Sequence, residues 1–143
     1  MRVRHAIVCA GVALISCAAA PTPPTDLGTV DAFVRLLEQH GATVARAGAF
    51  PQSSHSYFSV TGEGLVVNGA EVTVFAYRSV DRAANDAARV SPTGSPIGET
   101  QISWMDIPHL YRRDRLIVLY VGHSAELLKV LERVLGPPFA AGR

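Results

Sequence analysis

The stretch GLVVNGAEVTVFAYR, residues 64–78, sets Asn68-Gly69 between two runs rich in β-branched residues. That pair in that setting supplies the two positive-φ residues of a two-residue hairpin turn. The turn fixes the register. Val67 then faces Ala70 and Leu65 faces Val72, and because side chains alternate with period two these share a face with Val74 and Ala76. A second run, LIVLYV at 116–121, is apolar throughout, as in a central strand covered on both faces. A strand starting near His109 turns back on it across residues 111–115. The chain is thus committed to antiparallel pairing.

Three segments carry one helix-start signal: TVD at 29–31, SVD at 79–81 and SAE at 124–126. In each, a hydroxyl accepts from an unpaired N–H of the first turn, and a carboxylate two residues on meets the positive end of the helix dipole. The first helix carries Val30, Phe33, Val34 and Leu37 on one face and stops at Gly41. The second, Val80 to about Val90, is alanine-rich and suited to close packing on a sheet. The third carries Leu127, Leu128, Leu131, Val134 and Leu135 and stops at Gly136-Pro137, a stop signal of the expected kind. Shorter strands are predicted at 42–47, 56–60 and 100–105. The reading is an α+β domain, an antiparallel sheet with helices packed on one face. Its layout suggests two βββα-like units, 56–90 and 100–135, preceded by an N-terminal helix and joined by the Pro/Gly-rich loop 91–99.

The N-terminus has a different character. Residues 1–5 are basic, with Arg2 and Arg4, and 6–15 are uncharged and mostly apolar. That is the length of a signal-peptide core and too short to span a bilayer. An A-x-A cleavage site at Ala18 and Ala20 would cut before Pro21, a poor position because proline constrains the bond and lacks an N–H. The alternative, Leu14-Ile15-Ser16-Cys17, resembles the lipobox of bacterial lipoprotein precursors. The resemblance covers those four residues and the preceding signal. It implies cleavage between Ser16 and Cys17, diacylglycerol on the Cys17 thiol, acylation of the new N-terminus, and an extracytoplasmic place on a bacterial cell membrane or outer membrane. Two or more acyl chains give stable anchoring where one does not. The proline-rich residues after Cys17 suit a spacer. The organisation expected is signal peptide 1–16, lipidated cysteine and tether 17–28, one globular domain 29–138, and a C-terminal tail 139–143.

Processing at Cys17 simplifies the chemistry. Thirteen Lys and Arg less Arg2 and Arg4 leaves eleven, against twelve Asp and Glu, so no basic excess calls for nucleic acid. Cys9 is removed and Cys17 acylated, leaving no thiol for catalysis, disulfides or metal thiolates. Of His40, His55, His109 and His123, none lies four residues from another, and no metal or cofactor is expected. Ser53, Ser54 and Ser56 flank His55 without the elbow of a serine hydrolase. Gly62-Glu63-Gly64 lacks the third glycine of a dinucleotide loop. No catalytic residue is assigned.

The uneven feature is WMDIPHLYRRDR at 104–115. Trp104, His109, Tyr111, Arg112, Arg113 and Arg115 are of types enriched at interfaces or able to fork onto carboxylate and phosphate. They form the candidate interaction patch, weighed against a solvated hairpin end with Trp104 in the core. The functional expectation is a non-enzymatic, membrane-anchored binding or assembly module with an envelope protein as partner. The alternative is an extracytoplasmic small-ligand binder or hydrolase with its site between the sheet and the loops 50–56 and 91–99.

Overall fold

A computed structural model describes residues 26–49 and 57–143. The expected signal peptide, Cys17, most of the expected tether and the Ser53–His55 cluster lie outside the described residues. Within them the order is α1 (Val30–Gln39), β1 (Val44–Ala49), β2 (Glu63–Val67), β3 (Ala70–Ala76), α2 (Val80–Ala88), β4 (Pro108–Arg113), β5 (Leu116–Val121), α3 (Ala125–Leu135) and β6 (Ala140–Ala141). The strands form one sheet in the order β1-β2-β3-β5-β4-β6, every pair antiparallel. The domain is α+β.

The local signals act as their chemistry requires. Asn68 and Gly69 take φ of 50° and 83° and pair Val67 with Ala70 and Leu65 with Val72. All three predicted caps form: Thr29 accepts from the Ala32 N–H, Ser79 from Arg82 and Ser124 from Leu127. Gly136, at φ 85°, ends α3. β5 lies at the centre, buried from Leu116 through Tyr120.

Two layers cover the sheet. Below it, α1 and α3 set Phe33, Leu37, Leu127 and Leu131 against Leu65, Val72, Val74, Val118 and Tyr120. Above it, Ala83 and Ala87 of α2, with Ile97 and Trp104 of the following loop, pack on Phe75, Leu110, Ile117 and Leu119. The helices therefore divide between the faces; α2 does not join α1 and α3 on one face. Both faces of β5 are apolar, and Phe75 of β3 adds to the α2 side, so each face needs a cover.

That division also separates the two units. The antiparallel β2–β3 and β4–β5 hairpins could be related only by a two-fold axis perpendicular to the sheet, which would leave α2 and α3 on the same face. They are on opposite faces, so these units are not structural copies.

Strand extents differ too. Residues 58–60 form bends, with Phe58 buried. Residues 100–105 are irregular apart from an isolated bridge between Ile97 and Thr100. The Ser95 hydroxyl accepts from the Ile102 N–H at 3.0 Å and donates to its carbonyl at 2.8 Å, occupying groups a ladder would use. At the C-terminus, 139–143 is not a free tail. Phe139 donates to the Leu110 carbonyl, Ala140 is buried, and β6 pairs with β4.

Candidate functional site

Strand alternation decides the fate of the 104–115 patch. His109, Tyr111 and Arg113 project toward α1 and α3, whereas Leu110 and Arg112 project toward α2. Tyr111 is completely buried and its hydroxyl has no hydrogen-bond partner among the described residues. Burial first, then Glu132 and Tyr120, push its pKa up to about 12. Arg113 donates to the Val134 carbonyl at the end of α3, where a cation suits the helix dipole. Arg115 pairs with Asp26 at 3.3 Å. Trp104 is half-buried in the α2 layer, donating Nε1–H to the Gly94 carbonyl at 3.0 Å, with Tyr57 edge-on at 6.1 Å. The Arg112 guanidinium is exposed and has no partner among the described residues. The six residues thus occupy different faces and ends; they do not form one surface.

Two clusters take the patch's place, at opposite ends of β4 and β5. The turn end is where the N-terminal segment docks. The Leu27 N–H donates to Asp114 Oδ2 at 2.9 Å, Leu27 itself is buried, and Asp26 meets Arg115. Asp114 holds φ 51° in the two-residue turn between the strands. Asp26 and Leu27 therefore belong to the folded body, inside the segment expected to be tether.

At the other end lies residue 105. Met105 is fully exposed, on a loop fastened on both sides. Trp104 is tied to Gly94 as described. Asp106 Oδ2 meets His123 Nδ1 at 2.8 Å, and the Ile107 carbonyl accepts from the Gly122 N–H at 2.9 Å. The Ile107 N–H, then His123, hold the Asp106 carboxyl below the ordinary carboxylate value. His109 stacks on Tyr120 and reaches the Gly122 carbonyl at 3.0 Å; the Tyr120 hydroxyl accepts from the Ser124 N–H at 3.1 Å.

The Asp106–His123 pair has the residue types of two of the three members of a Ser-His-Asp triad. The adjacent Ser124 hydroxyl caps α3 by accepting from Leu127. A nucleophile hydrogen-bonded to the histidine is what such chemistry requires, and His123 has no such hydroxyl partner among the described residues. Among the described residues no group of three or more His, Cys, Asp or Glu is placed to hold a metal ion, and no helix is long and apolar enough to cross a membrane.

A third polar cluster is structural. Asp86, 6% exposed, accepts from the Ser59 N–H at 2.7 Å, the Ser59 hydroxyl at 2.8 Å and the Tyr77 hydroxyl at 2.9 Å, with Arg89 at 3.4 Å. Desolvation pushes this carboxyl up, but Ser59, Tyr77 and Arg89 together prevail and hold it below its ordinary value. The cluster pins residues 57–60 to α2. The loop 91–99 is filled by its own Ile97, which is completely buried. A cleft of about 240 Å³ lies over Ala47, Ala49, Gly64, Glu71 and Thr73, next to the loop 50–56, which lies outside the described residues.

Sequence reasoning missed the Leu27–Asp114 and Asp106–His123 pairs, whose partners lie 87 and 17 residues apart. Asp86 did leave a signal, as an acid among alanines on a sheet-facing helix. Comparison with protein-family models, curated proteins and solved structures finds no match to this chain.

Proposed function

We propose that the chain is a lipid-anchored extracytoplasmic module that captures an envelope protein partner and carries no reaction of its own. The single observation behind the binding role is Met105, an apolar side chain fully exposed to solvent on a loop held by the Trp104–Gly94 and Asp106–His123 contacts. Methionine is enriched at interface cores, and its unbranched thioether adapts to irregular pockets. Holding it on a fastened loop lowers the entropy lost on binding.

The membrane role rests on the lipobox ending at Cys17 and is supported by the N-terminal docking. The tether enters at the β4–β5 turn, and Met105 sits at the far end of those strands. An anchored domain so arranged presents Met105 away from the bilayer.

The test is crosslinking in native membranes with three chains: the unaltered protein, Cys17→Ser and Met105→Asp. A stoichiometric partner held by the unaltered chain and lost in Met105→Asp, with the fold intact, is the expected result. Equal capture by the unaltered chain and Met105→Asp, or no capture by either, would remove the reading.

A further inference from the structure

The end of the sheet that receives the tether carries a group of cations with no assigned partner. Tyr77 donates its N–H to the Arg115 carbonyl, so Arg78 lies beside the β4–β5 turn. Arg112 pairs with Ile117 in the next rows of the same sheet end and projects toward α2. Val80 and Arg82 lie in the first turn of α2, which starts at this end. Val80 lies three residues before buried Ala83, on the same face of α2, yet it is half exposed.

The guanidinium groups of Arg78, Arg82 and Arg112 are on exposed residues and have no hydrogen bond or ion pair among the described residues. Two neighbouring acids are engaged elsewhere: Asp114 with Leu27 and Arg113, Asp26 with Arg115. Asp81, in the first turn of α2, is the acid that stands among these arginines.

We infer that this corner is a lipid-facing surface: Arg78, Arg82 and Arg112 bind anionic headgroups and Val80 enters the interfacial region. The inference deepens the anchored reading above and rests on it. Eight residues separate Cys17 from Asp26; even fully extended, that spacer reaches only about 30 Å. A tether that short, leaving the body at this corner, keeps the three guanidiniums near the bilayer surface. Arginines there are attracted to phosphate, and the attraction is screened within about a Debye length. A half-exposed valine between them adds apolar contact that salt does not screen.

The test uses the processed, lipidated chain in phosphatidylcholine vesicles with and without phosphatidylglycerol. Because that chain has no thiol apart from acylated Cys17, Val80→Cys or Met105→Cys accepts a single fluorophore. A nitroxide on lipid headgroups should quench the position-80 label several-fold more than the position-105 label when phosphatidylglycerol is present. The difference should vanish in the Arg78→Glu, Arg82→Glu, Arg112→Glu triple variant, and shrink in high salt without any mutation. The triple Lys variant should restore most of it.

Equal quenching at the two positions on an anchored chain would overturn the lipid-facing corner and leave the anchor standing. A chain that carries no lipid by mass would overturn the anchored reading and, with it, the short tether that holds this corner at the bilayer.

Discussion

The Leu27 backbone N–H donates to the Asp114 carboxylate across 87 residues of chain, and Leu27 is 2% exposed beneath that contact. One hydrogen bond and one buried side chain thereby fasten the Asp26–Leu27 segment to the β4–β5 turn. Leu27→Ala should cost about 2–3 kcal/mol, by lost transfer free energy and a residual cavity. Asp114→Ala should cost about 1–2 kcal/mol, since it unpairs a half-buried N–H and puts alanine at positive φ. Asp114→Asn, which keeps both an acceptor and tolerance of that conformation, should cost clearly less. Urea unfolding of the three variants checks the order.

Asp86 carries a pH dependence of definite sign. Its folded pKa is depressed below the unfolded value of about 3.9. The folded state thus binds this proton less readily than the unfolded chain. The stability it contributes is fully present above the unfolded pKa and is lost as pH falls through the folded one. Asp86→Asn should be less stable near neutral pH and lose less stability on acidification. Asp86→Ala should cost about 2–4 kcal/mol, since it strands the buried Tyr77 hydroxyl and the Ser59 N–H. Denaturant midpoints measured from neutral to acid pH test this; parallel curves for the unaltered chain and Asp86→Asn would refute it.

Tyr111 reverses the usual expectation for removing a hydroxyl. Its oxygen is buried without a partner among the described residues, so folding strips it of water and returns no hydrogen bond. Tyr111→Phe should leave stability unchanged or raise it by up to about 1 kcal/mol, where loss of a satisfied buried hydroxyl costs about that much. A lowered urea midpoint would contradict this. The same substitution at Tyr77, whose hydroxyl meets Asp86, should be destabilising.

Arg112 and Arg113, adjacent in sequence, should respond differently. Arg113→Ala removes a donor to the last turn of α3 and should cost about 0.5–1.5 kcal/mol. Arg112→Ala touches no partner among the described residues and should stay within about 0.5 kcal/mol of the unaltered chain. Thermal unfolding of both, in one buffer, separates a helix-terminal contact from a free surface cation.

The sequence determined whatever depends on neighbours along the chain. Asn68-Gly69 set a hairpin register, three hydroxyls set three helix starts, and LIVLYV marked a buried central strand, because each of these acts within a few residues. The antiparallel α+β class follows from them. The lipobox reading is local in the same sense, four residues after an apolar run, and lies outside the described structure. Only the tertiary structure decided what distance along the chain conceals. It placed α2 on the face opposite α3, a choice that two apolar sheet faces force but periodicity cannot assign. It split the run at 104–115 by strand alternation, sending Tyr111 to the core and Arg113 to a helix end while leaving Arg112 in solvent. It also joined Leu27 to Asp114 and Asp106 to His123. Such pairings follow from the packing of whole elements, whose free energy is shared by residues far apart in sequence, so no short stretch announces them.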